Sequence, residues 1–201
     1  MPRTSSTTSA GGRPLFAFAF RDGMWQAPRA FADVDGAAGN TDFVWVHLDL
    51  TDAAAQAWLH GRPWPSDVIE MVAAPIQRGR LFCRPDLVYG HLRDFRDEAD
   101  TVTLQAGSLC VAASKNLVVT GRRIPLRSIE ELRRRVEVQK VVPTSTFSLL
   151  TEFFRALNDI GESLLQGALM FAVSSCRRKI SLLVLRAVQH GHCWARQEAG
   201  S

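Results

Sequence analysis

The stretch FVWVHLDLTDAAAQAWL, Phe43 to Leu59, constrains the fold more than any other part of the chain. Its first half reads as a strand. Val44, Val46, Leu48 and Leu50 fall on one side, and Phe43, Trp45, His47 and Asp49 on the other, because successive strand side chains alternate faces. Neither side is simply polar, so the strand is expected to be central and covered on both faces. The second half reads as a helix capped by Thr51, with Asp52 at its positive end. It runs to about His60, where Gly61 is placed to stop it. A strand feeding directly into a helix predicts an α/β domain.

The neighbouring segments extend that expectation. Leu15–Phe20 reads as a first strand, Arg21-Asp22-Gly23 as a turn, Trp25 to Phe31 as a short returning strand and Asp33–Asn40 as a loop. Ser66 is placed to cap a second helix whose stripe is Val68, Ile69 and Val72, ended by Pro75. Arg80–Phe95 reads as a hairpin turning at Pro85-Asp86. Leu109–Ala113 and Leu117–Thr120 form another around Lys115-Asn116. Pro125 opens a helix to about Val138, with Ile129, Leu132 and Val136 inward and Glu130–Arg134 and Glu131–Arg135 as i,i+4 pairs. After Pro143, Phe147, Leu150, Phe154, Leu157, Leu164, Ala168 and Phe171 recur at heptad-like spacing, which predicts a long helix packing against other helices.

The expected fold class is therefore α/β: a layered α/β/α domain with a mixed sheet, followed by a long helical, stalk-like extension. The expected organisation is a disordered tail over 1–12, a domain over 13–142, a stalk-like helix over 143–175 and a basic tail over 176–201. No secretory signal is read, and the longest apolar run, Leu164–Val173, is about half the roughly 20 residues a bilayer needs. The cysteines Cys83, Cys110, Cys176 and Cys193 show no CxxC or zinc-finger spacing, consistent with a reduced, cytosolic setting.

Four groups of residues invite a chemical reading. His47 and Asp49 share a strand face with Trp45 and offer two metal ligands, where a closed zinc site needs four; the favoured reading is hydrogen bonding under a covering helix. Asp94, Asp97, Glu98 and Asp100 form an acidic run that lacks the glycine and terminal glutamate of a calcium loop, and read as a solvated loop. His190, His192 and Cys193 form a short His/Cys tract of residue types that bind zinc or copper, but the favoured reading is an incidental tail sequence and not a metal site. Arg122, Arg123, Arg127 and Arg133–Arg135 make a basic neighbourhood, but Glu130 and Glu131 neutralise part of it and no aromatic residue interleaves it for base stacking. No nucleophile elbow, phosphate-cradling loop or HExxH helix is present, so no catalytic residue is assigned and a non-enzymatic protein is expected.

The order of these blocks resembles the CorA superfamily of divalent-metal transport proteins, and within it the ZntB-like branch. The resemblance rests on WVHLDLTDAAAQAWL (Trp45–Leu59), PSDVIEMVAAP (Pro65–Pro75), LFCRPDLVYGHLRDF (Leu81–Phe95) and the segment Ser108–Glu137, followed by a helix over Ser145–Leu165. It covers roughly residues 15–165 and implies a cytosolic α/β/α domain funnelling into a stalk and two membrane helices, assembled as a pentamer through the stalk. It implies zinc or magnesium as cargo and no resident cofactor. The family's Gly-x-Asn pore motif has no counterpart here, and Gln166–Cys176 carries no charge, unlike family stalks. The sequence reading therefore expects a truncated product, with an altered frame after about residue 165. Such a product would lie in the cytoplasm and would not conduct ions alone. The alternative expectation is a soluble basic module whose Arg122–Arg135 region contacts an anionic partner; binding of nucleic acid is not expected.

Overall fold

All but the last residue of Phe43–Asp49 (β3) are buried, as a strand covered on both faces requires. A computed structural model describes residues 12–75, 79–96 and 106–166. The chain divides into two units, Met1–Asn158 and Asp159–Ser201. The acidic residues Asp97, Glu98 and Asp100, the 1–11 part of the tail and everything after 166, including His190, His192 and Cys193, lie outside the described residues.

The first unit contains β1 (Phe16–Arg21), β2 (Met24–Gln26), α1 (Phe31–Ala37), β3, α2 (Ala53–His60), α3 (Ser66–Ala73), β4 (Arg80–Arg84), β5 (Leu87–Phe95), β6 (Ala106–Ala113), β7 (Leu117–Arg122) and α4 (Arg127–Glu137). A fifth helix, α5, begins at residue 146. Residues 159–166, the described part of the second unit, are helical. The seven strands form one sheet in the order β2-β1-β3-β7-β6-β5-β4. The β3–β7 pair is parallel and every other pair antiparallel, so the sheet is mixed.

The two faces of β3 separate two cores. Val44, Val46, Leu48 and Leu50 pack under α1, α2 and α3 with Trp58, Leu59, Val68, Ile69 and Val72. Phe43 and Trp45 pack on the other side with Phe18, Phe20, Ile129, Leu132, Leu149 and Phe153, beneath α4 and α5. This is the α/β/α layering that the alternation of β3 predicts.

Several boundaries differ from the sequence reading, each for a physical reason. The loop expected at Asp33–Asn40 is largely helix α1. Its start is fixed by the Asp33 carboxylate, which accepts the N–H groups of Ala30 (3.0 Å) and Arg29 (3.3 Å), and its Phe31 stacks on Trp58 at 5.0 Å. That helix truncates the strand expected from Trp25 to Phe31 to the three residues of β2. Asp52, not Thr51, caps α2, accepting from Ala54 N at 2.9 Å. Thr51 instead donates its N–H and hydroxyl to Asp49 Oδ1 at 2.8 and 2.6 Å. Pro65, not Ser66, occupies the cap position of α3, without a side-chain bond.

Helix α4 starts two residues after Pro125 and has Leu126 at its cap. Leu126 is fully buried and bridges Arg96, so its side chain serves the core. The expected Glu130–Arg134 pair is replaced: Glu130 turns to Arg122 (3.0 Å) and Arg133 (3.2 Å), while Glu131 takes both Arg134 (2.9 Å) and Arg135 (2.8 Å).

Candidate functional site

The parallel register of β3 and β7 sets His47 beside Thr120 and Trp45 beside Val118. One hydroxyl then serves three groups. Trp45 Nε1 donates to Thr120 Oγ1 at 3.0 Å, His47 Nδ1 lies 2.9 Å from the same oxygen, and Oγ1 donates to Val46 O at 3.4 Å. The arrangement that uses all three contacts puts the imidazole proton on Nδ1 and leaves Nε2 as a bare acceptor. That Nε2 is buried and has no hydrogen-bond partner. His47 is 0% exposed and stacks on Phe16 with ring centres 4.8 Å apart. Burial, reinforced by the nearby Arg122 and Arg133 guanidiniums, holds its pKa well below the ordinary histidine value. It is a neutral core histidine.

Asp49 does not join it in a metal site. Its Oδ1 is occupied by Thr51. It faces instead an open cavity of about 700 Å³, lined also by Arg13, Phe16, Trp25, Arg29 and Glu137. Among the described residues no three His, Cys, Asp or Glu side chains converge as a metal would require.

Asp94, expected in a solvated acidic loop, lies inside β5 and is 1% exposed. Its Oδ1 accepts from Ser128 Oγ (2.6 Å), Ser128 N (3.3 Å) and Phe95 N (2.7 Å). It therefore caps α4 from 34 residues away, supplying the bond Leu126 cannot. Burial raises its pKa above the ordinary carboxylate value, against the opposing pull of the Ser128 bond. Asp94→Ala is expected to cost about 2 kcal/mol in urea unfolding, from the lost cap and the stranded helix N–H groups. A carboxyl with a raised folded-state pKa binds its proton more tightly when folded. Stability from this group thus falls as pH rises through the window above about 3.9, and Asp94→Asn should remove that dependence.

The other sites are equally structural. His91 Nε2 donates to Met71 O at 2.6 Å and Nδ1 lies 3.1 Å from Ser108 Oγ, and burial lowers its pKa. The Cys110 thiol is pushed up to about 12 by burial, which makes it inert. Arg123 donates to the carbonyls of Leu50 (3.0 Å) and Ala73 (2.7 Å), tying β7 to the ends of β3 and α3. With Arg122, Arg133, Arg134 and Arg135 facing Glu130 and Glu131, the basic run is largely neutralised by its own helix. Thr120 and Asp94, the polar centres of the domain, carry no local sequence signal, because their partners are distant in the chain.

Comparison with known proteins bears on what such a domain is for. The family model described as CorA-like Mg2+ transporter protein matches residues 40–168. No curated protein matches the sequence significantly. Among solved structures, the ZntB cytoplasmic domain from Vibrio parahaemolyticus has a TM-score of 0.63 at 18% identity, covering 78% of this chain and 62% of that one. The full-length CmaX protein gives 0.66 at 20% identity, over 79% of this chain and 50% of that one. The complete CorA magnesium transporter from Methanocaldococcus jannaschii gives 0.52 at 14% identity, over 75% and 47%. The chain thus spans less than two thirds of each of these structures and shares their fold.

Proposed function

The chain belongs to the CorA-like Mg2+ transporter protein family, and from that membership we propose that it is the cytosolic domain, with the first stalk turns, of a divalent-cation transporter of the ZntB-like branch. One observation carries the reading. The family match runs without interruption from β3 through the α/β/α domain and α5 to residue 168, so domain and stalk-like helix match as one unit. Zinc or magnesium is the cargo this reading implies, the chain is non-enzymatic, and its place is the cytoplasmic side of the membrane. No helix among the described residues is long and apolar enough to cross a membrane. The described residues then serve transport by supporting and assembling subunits, not by lining a helical pore.

Assembly is the part most open to test. Phe147 is 78% exposed and Phe154 42% exposed on α5, one heptad apart, a spacing suited to helix-to-helix contact. Sedimentation velocity of the full chain across a concentration series is expected to show reversible self-association, weakened by Phe147→Ser. A chain that stays monomeric at the highest concentration would contradict the stalk assignment.

A further inference from the structure

Strand β4 closes one end of the sheet, and its register fixes which backbone groups it leaves open. Residues of an antiparallel strand alternate between those that exchange N–H and C=O groups with the neighbour and those that turn them away. The two-residue turn makes Arg84 and Leu87 a bonded pair. Phe82 and Arg80 therefore also bond to β5, and Leu81 and Cys83 point their N–H and C=O groups at the free edge. No described strand pairs with that edge. The side chains do not cover it either: Leu81 is 39% exposed, Cys83 is exposed and Phe82 is half-buried.

The charges around the edge select its occupant. Arg80, Phe82 and Arg84 share one face with His91 and Arg93 of β5. Arg84 is held by Asp67 at 2.5 Å and lies over the Tyr89 ring. Arg80 and Arg93 are exposed and carry no ion pair with a described residue. A second copy pairing antiparallel about Phe82 would set each Arg80 against the Arg84 of the other copy, and like charges directly opposed destabilise a strand pair. Arginines at an edge thus guard against self-pairing, while they favour a strand of opposite charge.

We propose that β4 is a docking edge for an extended acidic peptide segment, added as an eighth strand. Its backbone bonds to Leu81 and Cys83, and its carboxylates face Arg80 and Arg93. Strand addition of this kind draws affinity from main-chain bonds and selectivity from alternate side chains.

The test is fluorescence anisotropy with the full chain and a fluorescein-labelled Glu-Val-Glu-Val-Glu peptide, which puts its carboxylates on one face and its valines on the other. Saturable binding is expected, weakened about tenfold by Arg80→Glu and absent for Lys-Val-Lys-Val-Lys. N-methylation of one alternate set of peptide amides should abolish binding, and of the other set leave it intact. This pair of probes needs no change to the protein. Equal binding of the lysine peptide, indifference to both N-methylated sets, or no binding of the acidic peptide would each overturn the proposal. Self-association that Arg80→Glu strengthens, with no peptide binding, would assign the edge to a second copy instead.

Discussion

Thr120→Val is expected to lower the stability of the domain by about 3 kcal/mol, although valine matches threonine in shape. The hydroxyl it removes is the shared partner of Trp45 Nε1 and His47 Nδ1. Both groups are fully buried, with Trp45 and His47 each 0% exposed. Each buried polar group left without a partner costs about 1–3 kcal/mol. Thr120→Ser keeps the oxygen and loses a methyl group, so it should cost about 1 kcal/mol. Urea unfolding of the two variants side by side makes the comparison. If valine and serine cost the same, the hydroxyl is not what holds this part of the sheet.

The same histidine sets an acid limit. The pKa of His47 is held well below its ordinary value by burial and by Arg122 and Arg133, and that of His91 is lowered by burial. Below about 6.5 the unfolded chain therefore binds protons that the folded chain refuses. The unfolded state then holds more protons, so stability rises with pH in this window and falls as pH drops, by up to about 1.4 kcal/mol per unit per histidine. Asp94 acts with the opposite sign, because its pKa is raised. Asp94→Asn should accordingly steepen the acid loss wherever the two windows overlap.

What the sequence disclosed, and what it hid, follows from the range of the interactions. Strand β3 was legible because its alternation is local and both its faces are apolar. The hairpins β4–β5 and β6–β7 were legible because Pro85-Asp86 and Lys115-Asn116 carry turn chemistry within four residues. Helix α1 was not, since Asp33, Asp35 and Gly36 are poor helix formers. Its helicity comes from the burial of Phe31 and Val34 and from Arg62 pairing with Asp35 at 2.7 Å. Asp94 looked like the first residue of a charged loop because its sequence neighbours are charged. The partner that defines it, Ser128, lies across the sheet on α4. His47 was recognisable as structural, but nothing near it in the chain names Thr120, 73 residues away.

Phe153→Ala is expected to cost about 4 kcal/mol, and Phe147→Ala less than about 0.5 kcal/mol. The heptad row and the row that holds the domain together are different faces of the helix. Heptad-like spacing assigns Phe147, Leu150, Phe154 and Leu157 to packing against other helices, and Phe147 and Phe154 are indeed exposed. The residues that are buried are Leu149, Phe153 and Ala156, spaced four and three apart as one helix face requires. At about 100° per residue this row lies on the side of α5 opposite Phe147 and Phe154, with Leu150 on the flank. Leu149 and Phe153 close over Trp45, Val111, Val118, Ile129 and Leu132. They belong to the domain's own core, and truncating Phe153 opens a cavity beside Trp45. The helix is thus apolar on two sides, one spent on its own domain and one left outward. Stability and association should separate accordingly. Phe153→Ala should shift the urea midpoint strongly, while Phe147→Ala should leave the midpoint in place and weaken self-association in sedimentation. A Phe147→Ala variant that loses stability as Phe153→Ala does would show that the heptad row, not the observed one, packs on the sheet.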